Sequence, residues 1–120
     1  MRIQGSCHCG AVRWEAPVPT ELTRCNCSYC DRTGGEWAYC APQEFRLTSA
    51  PERLSAYQFG HYIGTHYHCA NCGCATHGRF PSFVQDRPDF EHPRISYNVR
   101  MAHEFDRSAL PVKDLDGRSF

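Results

Sequence analysis

Cys25-Asn26-Cys27-Ser28-Tyr29-Cys30 carries three thiols within six residues, and the chain repeats the theme with Cys7-His8-Cys9 near its start and Cys69-Ala70-Asn71-Cys72 beyond its middle. Cysteines this close in sequence seldom pair with one another as structural disulfides, but a turning backbone points their sulfurs at a shared centre. There are nine cysteines in 120 residues, an odd number that suits a disulfide framework poorly. The opening residues, Met1 to Ser6, hold no apolar segment of the secretory kind. The expectation is a cytoplasmic protein, where clustered thiols are more often metal ligands than disulfides. Metal, rather than a large apolar core, is what this sequence is organised around.

Between the cysteine groups the apolar pattern is short and of period two. Ile3 opens one strand, and Ala11-Val12-Arg13-Trp14-Glu15 alternates like a half-buried second. Further strands are expected at 36–40, 45–47, 54–59, 62–68 and 95–101, separated by Pro17, Pro19, Gly34-Gly35, Pro42, Pro51, Gly60 and Gly64. One helical turn capped by Ser28 is expected within the triplet. Residues 80–94, with Pro81, Pro88 and Pro93, read as a long loop. Residues 106–120 read as an irregular tail packed on the domain through Leu110, Val112 and Leu115. A chain of this length forms one domain, residues 1–120, and it reads as mainly β. Thirteen Lys plus Arg balance thirteen Asp plus Glu, so no basic face for nucleic acid is expected. No apolar run approaches the roughly 20 residues of a membrane helix.

Structural zinc sites are closed by four protein ligands, whereas catalytic ones keep three and leave a position for water or substrate. Cys7, Cys9, Cys69 and Cys72 supply four thiolates from opposite parts of the chain. Joined, they would clamp the first hairpin to the strand ending at His68. Cys25, Cys27 and Cys30 supply three, which leaves one coordination position free. Two zincs per chain are the resulting expectation, with iron an alternative at the four-cysteine site on ligand type. From spacing alone the triplet reads almost equally as an open site or as a second closed one completed by Cys74 or a histidine. Cys40 and Cys74 otherwise read as spare thiols.

Gly5-Ser6-Cys7-His8-Cys9-Gly10-Ala11-Val12, the triplet, Cys69-Ala70-Asn71-Cys72-Gly73, Asn98-Val99-Arg100 and the run from Leu110-Pro111-Val112 to Asp116-Gly117 together resemble the glutathione-dependent formaldehyde-activating enzyme family, also called the centromere-protein-V/GFA domain. The resemblance spans nearly the whole chain. It implies an Mss4-like fold of small antiparallel β-sheets, a structural zinc on Cys7, Cys9, Cys69 and Cys72, and a catalytic zinc on Cys25, Cys27 and Cys30. It also implies the family's reaction, addition of glutathione to formaldehyde to give S-hydroxymethylglutathione, a carbon–sulfur lyase activity. This chain is much shorter than the enzyme for which the family is named. The implied partners are therefore a small-molecule thiol and an aldehyde, with glutathione one candidate thiol among several.

The residues support that chemistry in outline. A metal held by three thiolates can bind an incoming thiol as thiolate or polarise a carbonyl oxygen, and three anionic ligands blunt the second role. Addition to an aldehyde needs a proton donor, for which His66, His68, His77 and Tyr39 are candidates. Arg32, Arg79 and Arg87 are candidates for pairing with carboxylates of a peptide-like thiol. Gly34 and Gly35 either let backbone approach the metal or simply turn the chain. Two other readings compete: a non-catalytic zinc module for a protein or nucleic-acid partner, and, third, thiol–disulfide exchange at Cys69 and Cys72.

Overall fold

The computed structural model describes residues 1–119. Strands β1 (Arg2–Ser6) and β2 (Arg13–Pro17) form an antiparallel hairpin, and a two-residue strand, Arg46–Leu47 (numbered β5 in chain order), extends it to three strands. The second sheet has seven strands. They are β3 (Leu22–Cys25), β4 (Trp37–Cys40), β6 (Leu54–Tyr57), β7 (Thr65–Cys69), β8 (Ala75–Val84), β9 (Arg87–Asn98) and β10 (Val112–Leu115), in the spatial order β10-β3-β4-β9-β8-β7-β6. Its neighbours are antiparallel except β10 and β3, which run parallel. Among the described residues one α-helix is present, α1 (Ser28–Thr33), directly after β3.

Alternation along each strand sorts side chains onto two faces. Leu22, Ala38, Cys40, Ile95 and Tyr97 of the large sheet meet Ile3, Trp14 and Ala16 of the small one in the main core. Trp14 is 1% exposed, with its ring edge-on to Tyr97 at 5.5 Å and tilted against Phe45 at 5.9 Å. The Tyr97 hydroxyl donates to the Pro17 carbonyl at 2.7 Å, so the buried phenol is satisfied. Such ring pairs add roughly 0.5–1.5 kcal/mol beyond the area they bury. With Leu22, Ala38 and Cys40 committed to this core, Thr23, Cys25, Trp37 and Tyr39 occupy the opposite face of the sheet.

Glu36 lies immediately before β4 with only 5% of its surface exposed. It accepts from Arg24 Nη2 at 3.1 Å, Arg100 Nη1 at 3.0 Å and Arg107 Nε at 2.7 Å. Burial alone would raise its pKa, but the arginines outweigh burial and hold the carboxyl below its ordinary value. This cluster ties the segment after β9 to the body of the sheet.

Several local expectations differ from what is observed, among them the strand expected over 95–101, which ends at Asn98 and gives way to a 3₁₀ turn at Val99–Met101. Residues 80–94 are not a loop but the long arms of the β8–β9 hairpin, closed by Gln85-Asp86 with φ of 52° and 63°. The 106–120 segment is not irregular: it contains a 3₁₀ turn at Arg107–Ala109 and the strand β10, while Phe120 lies outside the described residues. The strand expected from Tyr62 begins at Thr65, because Tyr62 has φ 56° and its N–H closes a turn onto the Phe59 carbonyl. Helix α1 is capped by Cys27 rather than Ser28, the Cys27 sulfur accepting from the Cys30 N–H at 3.3 Å.

Candidate metal centres

Two turns, one after β1 and one after β7, bring the first cysteine group together. In one the Gly10 N–H bonds the Cys7 carbonyl, and in the other the Gly73 N–H bonds the Cys69 carbonyl. Both glycines sit at positive φ, 81° and 82°, where other residues would be strained. The sulfurs of Cys7, Cys9, Cys69 and Cys72 all lie within 4.8 Å of one another. Cys7 and Cys9 are 3.7 Å apart and Cys9 and Cys69 3.6 Å. A tetrahedral ion with bonds of about 2.3 Å to sulfur requires separations of about 3.8 Å, so the four thiols fit one. Backbone N–H groups of Val12, Asn71 and Cys72 point at the Cys7 and Cys69 sulfurs at 3.3–3.4 Å, which suits thiolates.

Protonation inside this group is divided. Burial pushes the Cys7 thiol up to about 11, while Cys72 is lowered to about 5, chiefly by the backbone N–H of Cys74. Four sulfurs this close cannot all be anionic unaided, and a bound cation removes the conflict. Cys74 belongs to this neighbourhood, beside Cys72, with a raised pKa.

The second group is built by the end of β3 and the start of α1. Cys25 ends the strand, Cys27 caps the helix and Cys30 sits one turn on, with the three sulfurs within 4.8 Å of one another. The Cys27 N–H donates to Cys25 Sγ at 3.4 Å. Cys25 is held down to about 5, first by its hydrogen bond from Cys30, and Cys30 is pushed far upward by the same bond and by burial. Among the described residues no fourth Cys, His, Asp or Glu atom joins this group. The completion by Cys74 weighed from spacing is thus not what the fold presents. Gly34, at φ 69°, is the C-cap of α1, and Gly35 lies under the Trp37 ring, so both serve the helix exit rather than an approach to metal.

An aromatic wall stands beside the triplet. Tyr29, between Cys27 and Cys30, packs on His66 at 4.0 Å, Phe59 at 5.8 Å and Tyr57 at 6.1 Å. Burial, then the charges of Cys30 and Cys27, raise the Tyr29 pKa, and burial lowers His66 to about 4, leaving it neutral at pH 7. Tyr39 shares the sheet face of Thr23 and Cys25. Its hydroxyl is pushed up to about 12 by burial and then by the charges of Cys25 and Cys30, with the Arg94 guanidinium 5.4 Å above its ring.

The remaining sequence candidates are elsewhere. His77 is buried between Phe45 and Tyr67, each at 4.7 Å, with Thr76 Oγ1 2.9 Å from its Nδ1. His68 pairs with Ser55 and Ala75 one residue from Cys69. Arg32 donates to the Ser28 carbonyl within α1 at 2.9 Å, Arg79 is exposed on β8, and Arg87 is at the hairpin tip. Sequence reasoning missed Tyr29, Asn26 and Arg94. Tyr29 and Asn26 lie inside the triplet motif, and that placement was the available signal.

The β-rich fold presents a cluster of four thiols and a cluster of three, the geometry of a class of protein whose cysteine groups could hold metal ions. The profile of the glutathione-dependent formaldehyde-activating enzyme family matches residues 2–87, and the chain belongs to that family. A Halomonas elongata protein, whose name provisionally makes it a glutathione-dependent formaldehyde-activating enzyme, is 31% identical over 106 residues, covering 80% of this chain. The chain matches 65% of that relative's length. A crystal structure of a Rhodobacter sphaeroides protein superposes with a TM-score of 0.72 at 28% identity, covering 92% of this chain and 99% of that one.

Proposed function

We propose that this chain is a zinc-dependent carbon–sulfur lyase that joins a small thiol to an aldehyde and splits the adduct, glutathione and formaldehyde being the pair its family points to. The observation that carries the reading is the triplet: three sulfurs within 4.8 Å and no fourth protein ligand among the described residues. Cys7, Cys9, Cys69 and Cys72 hold a structural zinc in this reading, and Cys25, Cys27 and Cys30 a catalytic one, two per chain. A zinc held by Cys25, Cys27 and Cys30 would supply positive charge that favours the ionised form of a substrate thiol near neutral pH.

The chain's own residues account for the rest. As the substrate sulfur adds to the aldehyde carbon, a C–S bond forms, the C=O π pair moves to oxygen, and that oxygen takes up a proton. Tyr39 is the donor favoured here, because it shares the sheet face of Cys25 and its phenol keeps its proton at pH 7. The proton released when the substrate thiol ionises restores the Tyr39 phenol, and cleavage runs the same two proton transfers in reverse. Tyr29, Phe59 and His66 form an apolar side wall, and the neutral His66 adds no competing charge. The nine unpaired thiols fit a reducing, cytoplasmic setting. Because formaldehyde and thiols also combine unaided, the test is magnetisation-exchange NMR at equilibrium. Exchange between free and hydroxymethylated glutathione should be faster with the parent than with Cys27→Ser. Equal rates across a panel of thiols and aldehydes would refute the lyase reading.

A further inference from the structure

The strand β10 runs parallel to β3 with Leu115 beside Cys25, so the residues that follow pass directly over the Cys25–Cys27 turn. Asn26, between those two cysteines, spends every polar group on that passing segment. Its N–H donates to the Leu115 carbonyl at 3.1 Å, and its Nδ2 donates to Asp116 Oδ1 at 2.8 Å. Its Oδ1 accepts from the Arg118 N–H at 2.8 Å and its carbonyl from Arg118 Nε at 3.0 Å. A second tie joins Arg118 to Asp31 on α1 at 3.5 Å. Gly117 is thereby pressed against the site: a Cβ built there would stand 2.4 Å from Cys25 Sγ and 3.3 Å from Cys27 Cβ. Ordinary carbon contacts are about 3.5–4.0 Å. Gly117 is not among the positive-φ glycines, so space and not backbone conformation is what requires glycine here.

From this arrangement we propose that Asp116–Arg118 is part of the triplet centre, with Gly117 seating the Cys25 sulfur and Asn26 latching the segment in place. The inference rests on the reading of the triplet as a zinc site. Gly117 and Asn26 are positioning residues in it, acting through Cys25 and Cys27. Metal–sulfur distances tolerate only about 0.2 Å. An alanine at 117 must displace the sulfur by more than that or lift the segment off its latch, and either outcome opens the site.

The test uses the full chain as Gly117→Ala and Asn26→Ala beside the parent. Each is loaded with zinc for release to a chromophoric chelator, and with cobalt(II) for the absorption bands of thiolate-bound metal. The parent should release two metals in two phases. Both variants should speed the triplet phase by about 10–100-fold, the usual effect of removing groups that orient metal ligands, while leaving the slower phase unchanged. Gly117→Ala should also shift the cobalt bands of the triplet, whereas Asn26→Ala, which adds no clash, should loosen the metal without shifting them. Parental release rates and bands in both variants would overturn the proposal. Should Gly117→Ala not fold, parental release from Asn26→Ala overturns it alone. A parent that binds one metal per chain would instead overturn the zinc reading of the triplet, and this inference with it.

Discussion

Replacing Cys72 with serine removes one thiol from the cluster that joins the turn after β1 to the turn after β7. Cys9 and Cys69 are 60 residues apart in sequence and their sulfurs 3.6 Å apart in space. Treated as a cross-link, a closure of that length withholds about 4 kcal/mol of chain entropy from the unfolded state. The triplet closes only a few residues, worth about 2 kcal/mol by the same relation, and α1 already orders most of them. At about 4 °C per kcal/mol for a chain of this size, Cys72→Ser should lower the melting temperature by roughly 15 °C, or leave the protein molten if most of its stability is spent. Cys27→Ser should cost at most about 8 °C on the same scale, and less to the extent that α1 already orders the loop. Thermal unfolding followed by circular dichroism, at fixed zinc concentration, reads both. A Cys72→Ser protein melting within about 3 °C of the parent, or a Cys27→Ser protein melting lower than Cys72→Ser, would refute the division of labour between the clusters.

His77 is 7% exposed and held down to about 4 against an ordinary 6.5. The unfolded chain therefore binds its proton first, and stability is lost as pH falls from about 6.5 to about 4, by up to about 3 kcal/mol. His77→Gln should flatten that part of the melting-temperature profile relative to the parent, and an unchanged slope would contradict it. Glu36→Gln leaves three arginines around a neutral amide and should destabilise by about 1–3 kcal/mol, discounted because the arginines are partly exposed. Denaturant unfolding at low and high salt checks this, with the larger loss expected at low salt. Tyr39→Phe should retain both zincs and the fold while slowing catalysed thiol–aldehyde exchange by about 10²–10⁴-fold. An undiminished rate would remove Tyr39 from the reaction.

The two cysteine clusters were legible because their spacing is local: Cys7 with Cys9, Cys69 with Cys72, and the triplet each announce a turn, and a turn brings sulfurs together. That the first two groups meet was a matter of counting to four. The β8–β9 hairpin was obscured by Pro81, Pro88 and Pro93. Pro81 sits at the register shift between Phe80 and Ser82. Pro88 and Pro93 lie where β9 has β8 on one side only, since β4 pairs with Ile95–Asn98. A missing N–H is tolerated in both settings. The strand β10 was invisible for a different reason. Val112, Lys113 and Asp114 are exposed and carry no periodic apolar signal, and the strand exists through its ladder to β3 and the contacts of Asn26. The aromatic wall escaped notice because Tyr29 meets Tyr57, Phe59 and His66 only when the β6–β7 hairpin folds against α1.

The claim that the two cysteine groups are separate metal sites, one closed and one with a free side, is tested most directly by zinc analysis of the purified parent and the Cys27→Ser protein. The account predicts two zincs per chain in the parent and one in Cys27→Ser, with the circular dichroism spectrum unchanged. One zinc in the parent, or the loss of both together with the fold in Cys27→Ser, would contradict it.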